Sequence, residues 1–153
     1  MEILKTLHLK LTQKRLSLAV AESCSGGRLA SLLTSLPGSS KYFTAGVIAY
    51  SKTAKIKFLK IPKSKLDRYG TVSLKTAKLM AENIRKIAGS DIGIGITGYA
   101  GPKPGRTQPK GTVYIAVETA SKKFSRRYFF KGTRNFIQTK ASQKALEILN
   151  QLI

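Results

Sequence analysis

The sequence predicts an α/β protein: a three-layer α/β/α sandwich around a mostly parallel mixed sheet of about five strands, with an antiparallel strand near one edge. Three observations carry this reading. Short uncharged apolar runs alternate with longer stretches of helical periodicity, small-residue or polar turns follow each of the first three runs, and two further strand-like runs close as a hairpin before a final helix. The 153 residues, 42% of them apolar, suffice for one core and not for two domains of ordinary size, so residues 1–153 are read as a single domain.

The elements follow in order. Residues 2 to about 15 read as an amphipathic helix carrying Leu4, Leu7, Leu9 and Leu11, with His8 on its surface, and Leu16 to Ala21 reads as a buried strand ending at Glu22. Ser25, Gly26 and Gly27 open a helix through about Ser35, closed by Pro37-Gly38. Tyr42 to Tyr50 reads as a second strand, after which Ser51 caps a short helix carrying Lys52 and Lys55. Pro62 breaks that helix, and Ser73 caps the next, whose buried face is Ala77, Met80, Ala81, Ile84 and Ile87, up to Gly89. Asp91 to Thr97 alternates Ile with Gly, which suits a strand that another backbone approaches closely. Gly98 to Lys110, with Pro102, Pro104 and Pro109, reads as a mobile site loop. Gly111 to Thr119 and Lys122 to Lys131 read as a hairpin, the aromatics Tyr128, Phe129 and Phe130 as strand core, and Arg134 to Leu152 as the closing helix, burying Ala141, Ala145, Ile148, Leu149 and Leu152.

Composition removes several chemistries. One cysteine, Cys24, and one histidine, His8, cannot assemble a Cys/His metal cluster, so no metal and no cofactor are expected. A Ser/His/Asp triad would need His8, which lies beside no nucleophile, and of the few carboxylates only Glu22 sits beside a glycine-rich turn. No run approaches the roughly 20 apolar residues of a membrane helix, and the amino terminus lacks a signal peptide's apolar centre, so a cytoplasmic protein is expected. The 28 Lys+Arg against 7 Asp+Glu give +21. That charge suits a phosphorylated ligand or non-specific, salt-sensitive contact with nucleic acid, but its spread, eight basic residues over 52–75 and eight over 122–144, equally suits a solvated lysine-rich surface.

Three unusual segments share one topological position: E-S-C-S-G-G after the first strand, Y-S-K-T-A-K after the second and T-G-Y-A-G-P after the third. Ligands of open α/β sheets bind outside the carboxyl ends of parallel strands, so Ser23, Lys55 and Thr97-Gly98 are expected around one cleft. Ser23 at a strand-to-helix turn can attack a carbonyl while the amides of Cys24 to Gly27 face an oxyanion or phosphate, and Ser23 or Ser25 can equally be a plain helix cap. Cys24, without a histidine partner, reads better as a small buried residue than as a nucleophile. A serine needs a base, and the composition leaves lysine and tyrosine. Lys55 fits if burial beside Lys52 or Lys57 lowers its pKa, and otherwise it is an ordinary solvated lysine. An anion is expected at Ser25 to Gly27 or at Thr97 to Gly101.

A-E-S-C-S-G-G at 21–27, P-G-S-S at 37–40, G-V-I-A-Y-S-K-T-A-K at 46–55, G-T-V-S at 70–73, and G-Y-A-G-P with K-G-T-V-Y at 98–114 together resemble the CinA carboxy-terminal domain family, in order and over nearly the whole chain. The resemblance implies a stand-alone nicotinamide mononucleotide deamidase of pyridine nucleotide salvage, releasing nicotinate mononucleotide and ammonia, and a homo-oligomer. It implies Ser23 as nucleophile, Lys55 as base and Tyr50 beside them, with substrate bound by Glu22, Cys24, Ser25, Gly26, Gly27, Thr97, Gly98, Gly101, Lys110 and Arg134. The alternative is a catalytically silent nucleotide- or nucleic-acid-binding module on the same scaffold. The chain departs from the family pattern at Lys52, Thr53, Tyr69 and Pro104, and at Gln138, where a second arginine is usual after Arg134.

Overall fold

The computed structural model describes residues 2–153. Helix α1 (Glu2–Gln13) buries Leu4, Leu7 and Leu11 but leaves Leu9 outward, as their spacing on a 3.6-residue period requires. His8 is half-buried, edge-on to the Tyr42 ring. Strand β1 (Leu18–Glu22) is buried throughout and leads through a turn into α2 (Arg28–Leu33), after which a 3-10 turn (Ser39–Lys41) precedes β2 (Phe43–Ile48). Ser51 caps α3 (Lys52–Leu59) by accepting from the Ala54 amide at 3.0 Å.

A helix that the sequence reading left out follows, α4 (Lys63–Tyr69). Pro62 ends α3 and stands at the start of α4, where its missing N–H costs nothing, and the only apolar anchor of the new helix is the buried Leu66. One anchor in seven residues gives no period to read. Helix α5 (Leu74–Ala88) buries Ala77, Met80, Ala81 and Ile84 as expected, but Ile87 is 51% exposed. The buried stripe continues at Ala88, four residues after Ile84, rather than at Ile87.

Strands β3 (Ile92–Gly98), β4 (Thr112–Glu118) and β5 (Lys123–Phe129) and the long helix α6 (Arg134–Leu152) complete the chain. The sheet order is β2-β1-β3-β4-β5; β1 pairs in parallel with β2 and β3, and β4 runs antiparallel between β3 and β5. This is the three-layer α/β/α arrangement, with α1, α2 and α6 on one face and α3, α4 and α5 on the other. Alternation divides the core: Leu18 and Val20 join Ile92, Ile94 and Ile96 on the α6 side, while Ala19 and Ala21 meet Leu59, Leu66, Met80 and Ile84. Phe124 and Tyr128 on β5, and Phe130 just after it, pack against the core on the α6 side. Phe129 does not join the core as expected: it points to the opposite face beside the last strand and is 59% exposed. Among the described residues no helix is long and apolar enough to cross a membrane.

The glycines of β3 let α5 sit directly on the sheet. A Cβ at Gly95 would lie 2.4 Å from the Ala77 carbonyl oxygen and 2.8 Å from the Ala81 nitrogen, both backbone atoms of α5. Gly95→Ala should therefore destabilise the fold by about 1–3 kcal/mol or more through forced separation of helix and sheet. At Gly89, where an added Cβ meets nothing within 4 Å but φ is +63°, alanine should cost only the left-handed backbone, roughly 1–2 kcal/mol. Urea unfolding of both variants measures the difference, and an unchanged midpoint for Gly95→Ala would show that the two layers can part.

Candidate active site

The parallel run of β1, β2 and β3 brings their carboxyl ends to one edge, and backbone hydrogen bonds stitch them there. The Ser23 amide donates to Ile96 O at 3.0 Å and the Ala49 amide to Glu22 O at 2.8 Å. Ser23 thus stands where β1 ends, held between the other two strands.

Glu22 shapes the turn that follows. Its carboxylate is buried and accepts from the amides of Gly27 (3.2 Å), Leu29 (3.1 Å) and Ala30 (2.9 Å), capping α2, whose own N-cap, Gly27, has no side chain to do so. These bonds change the expected roles. Glu22 is a helix cap turned into the protein rather than a substrate group, and neither Gly26 nor Gly27 offers a free amide, since Gly26 donates to Ser23 O at 3.1 Å. Both glycines have positive φ, 62° and 92°. Among the described residues the Cys24 and Ser25 amides donate to no protein group. Ser25 is fully buried and its Oγ has no partner.

Lys55, one turn into α3, is 1% exposed. Its Nζ lies 2.8 Å from Ala49 O and 3.0 Å from Ser23 Oγ, and it has no carboxylate partner. Burial lowers its pKa from 10.5 to about 8, slightly opposed by the Cys24 thiol. The expected help from neighbouring lysines does not arise: Lys52 pairs with Asp67, and Lys57 lies over the Phe58 ring. Burial pushes the Cys24 thiol up to about 12, which keeps it protonated and poorly nucleophilic.

A cavity of about 240 Å3 opens over the pair, lined by Ser23, Cys24, Tyr50, Lys55, Thr71, Val72, Gly98, Tyr99, Ala100, Gly101, Lys103 and Arg134. Three cations and no carboxylate face it. Arg134 opens α6 behind the Thr133 cap and spans the mouth, donating from Nη1 to Gly101 O and from Nη2 to the Tyr50 hydroxyl. Tyr50 therefore meets Arg134 and hydrogen-bonds to neither Ser23 nor Lys55. Thr97 and Lys110 stand behind the cavity: Thr97 Oγ1 donates to Thr71 O at 2.8 Å, and the Lys110 stem covers Gly101, where an added Cβ would meet its Cδ at 2.2 Å. Sequence reasoning did not single out Thr71, Val72, Tyr99, Ala100 or Lys103, although all lie in the G-T-V-S and Gly98 to Lys110 segments it had marked. A larger groove of about 330 Å3 between α5 and β5, lined by Lys78, Glu82, Glu118 and Lys123 among others, holds no nucleophile beside a base.

Known proteins place this geometry in context. A family model, the CinA C-terminal domain, matches residues 1–153. The chain belongs to that family. Among curated CinA relatives, a protein named as competence-damage inducible from Caldanaerobacter subterraneus is 43% identical over 99% of this chain and 37% of its own length, and a CinA-like protein of Syntrophus aciditrophicus is 42% identical over 94% of this chain and 34% of its own. The chain thus spans about a third of the length of the curated relatives it matches. The crystal structure of a CinA superfamily protein from Escherichia coli superposes with a TM-score of 0.95 at 35% identity, covering 99% of this chain and 88% of that one. A competence or damage-inducible protein from Enterobacter asburiae gives the same score and identity over 99% and 96%.

The buried amine has a thermodynamic signature. Between about 8 and 10.5 the unfolded chain holds a proton on Lys55 that the folded CinA domain has shed, so stability rises with pH across that window and the lysine contributes no slope below it. Urea unfolding of the wild type minus Lys55→Met, which cancels the other titrating groups, should show this rise. A flat difference would mean that Lys55 is solvated.

Proposed function

We propose that the protein is an amidohydrolase that converts nicotinamide mononucleotide and water to nicotinate mononucleotide and ammonia, using Ser23 as nucleophile and Lys55 as general base. The observation that carries this reading is the buried Lys55 amine 3.0 Å from Ser23 Oγ, with a pKa lowered to about 8. When neutral, the amine keeps one N–H on Ala49 O and offers its lone pair to the Ser23 hydroxyl. Ser23 Oγ attacks the carboxamide carbon as its proton passes to Lys55 Nζ, and the Cys24 and Ser25 amides, which donate to no protein group among the described residues, are the donors available to the developing oxyanion. The Lys55 ammonium then protonates the amide nitrogen, the C–N bond breaks and ammonia leaves, giving an ester on Ser23. Water attacks that ester while Lys55 takes its proton and returns one to Ser23 Oγ, which leaves as the hydroxyl.

Other features of the cavity suit this substrate. Tyr50 and Tyr99 are aromatic walls for a pyridinium ring, and Lys103 and Arg134 at the rim suit a 5′-phosphate. Family membership supports the reading as well.

Ammonia release from purified protein with nicotinamide mononucleotide tests it. Ser23→Ala, Lys55→Ala and the double variant should each lose on the order of 10³-fold or more in kcat, nearly equally, because nucleophile and base act as a unit. Lys55→Arg should fail too, since a guanidinium stays protonated. Ser23→Ala should melt close to the wild type, because the α2 cap is Glu22 and not Ser23. Full activity in Ser23→Ala, or none in the wild type, would sink the proposal.

A second reading, a polyanion-binding module, is favoured by one patch: on β5, exposed Arg127 has no carboxylate partner among the described residues and shares a strand face with the exposed Phe129 two residues on. Such binding should be non-specific and weaken steeply with salt, about 0.9 per phosphate contact in the log–log slope. Fluorescence anisotropy with unrelated oligonucleotides across a salt series measures it; base preference that survives high salt would promote this reading over the enzyme.

A further inference from the structure

The turn that carries Ser23 is gripped from the opposite end of the chain. Gln138, 7% exposed on the buried side of α6, donates from Nε2 to Cys24 O at 2.7 Å, and an added Cβ on Gly26 would lie 3.5 Å from the same nitrogen. One turn earlier, Asn135 Oδ1 accepts from Arg28 just past the turn. The remaining backbone groups around the nucleophile are also fixed: Ser23 N donates to Ile96 O, and Ser23 O accepts from Gly26 N. A trans peptide holds each carbonyl antiparallel to the N–H that follows it. Pinning Ser23 O therefore sets the Cys24 amide and pinning Cys24 O sets the Ser25 amide, and among the described residues neither amide donates to a protein group.

We propose that Gln138 is a positioning residue for the reaction, holding the Cys24 carbonyl so that the Ser25 amide on the same peptide plane is aimed as an oxyanion donor beside Ser23. The inference rests on the Ser23/Lys55 reading. Without the Gln138 donor, the Cys24 carbonyl is left unpaired in a buried place, and its peptide is free to rotate toward another partner. Ser23 and Lys55 still meet, but the donor no longer awaits the oxyanion. The requirement is a long side chain with a donor at its tip. An arginine meets it as well as glutamine, whereas methionine has the length without the donor.

A substrate-independent probe separates this idea from the choice of substrate. Phosphonylation of Ser23 by a fluorophosphonate, located by mass spectrometry, needs both an activated hydroxyl and a donor for the phosphonyl oxygen. Gln138→Met should slow it by on the order of tenfold or more, and Gln138→Arg should return it to within a few-fold of the wild type. On nicotinamide mononucleotide the loss in Gln138→Met should fall on kcat with KM little changed, and the pH midpoint near 8 set by Lys55 should stay in place. Thermal melts accompany each variant. A wild-type rate in Gln138→Met overturns the proposal, as does equal slowing in Gln138→Met and Gln138→Arg that follows their melting temperatures. A wild type whose Ser23 is never phosphonylated overturns it together with the Ser/Lys reading, whereas a labelled wild type that fails on the nucleotide points to a different amide and leaves the variant comparison decisive.

Discussion

Everything at the candidate site depends on a primary amine kept out of water without a counter-ion. Lys55 is 1% exposed, and its partners are a carbonyl and a hydroxyl. A carboxylate in that place would stabilise the ammonium and raise its pKa, leaving no lone pair for Ser23 at neutral pH. Glu22, the residue before Ser23, is the obvious intruder. It is kept away because its carboxylate is fully engaged by three amides at the start of α2. The cap therefore acts twice: it satisfies helix amides that would otherwise be orphaned, and it holds the carboxylate next to Ser23 in sequence on those amides rather than on the Lys55 amine.

The same arrangement explains why the β3 glycines matter beyond packing. Gly93 and Gly95 let α5 settle on the sheet, which brings the segment before α5 against the end of β3, where Thr97 Oγ1 holds Thr71 O. Thr71 and Val72 then form the cavity wall opposite Ser23. That part of the cavity lining is thus a consequence of two missing side chains in the middle of the sheet.

Most of the fold was legible because its elements announce themselves by pattern: Ile–Gly alternation in β3, two runs joined tightly around Ala120-Ser121 in the hairpin, three- and four-residue spacing in α1, α5 and α6. What failed had no period to show. Helix α4 rests on Leu66 alone, and Ile87 sits one position off a stripe that ends at Ala88. At the site, residue type and topological position were enough to bring Ser23 and Lys55 to one edge, but not to say which amides stay free. That depends on Glu22 reaching forward to Ala30 and on Gln138 reaching back from α6 to Cys24, contacts between residues 8 and 114 apart that no local pattern records. The lowered pKa of Lys55 was expected from burial beside Lys52 or Lys57 and arises from the burial without the lysines, because Lys52 is drawn aside by Asp67.

The distribution of charge gives the proposed reaction a last physical feature. Of the seven carboxylates, all but Glu2 are engaged elsewhere: Glu22 and Asp91 accept hydrogen bonds from backbone amides, and Asp67, Glu82, Glu118 and Glu147 pair with lysine or arginine. None faces the cavity, whose charged lining is Lys55, Lys103 and Arg134. The protein thus excludes resident acids from the site, yet the proposed reaction makes one there. Nicotinate carries a carboxylate where nicotinamide carried a neutral amide, and the proton released in ester hydrolysis is at hand for Lys55. Product and protonated lysine then form the ion pair that the fold otherwise forbids, and each holds the other in place. The next turnover needs both the carboxylate and the proton to leave. The openness of the site to solvent at its Arg134 and Tyr50 rim, where both side chains are exposed, is therefore as much a part of the chemistry as the burial of Lys55 beneath it.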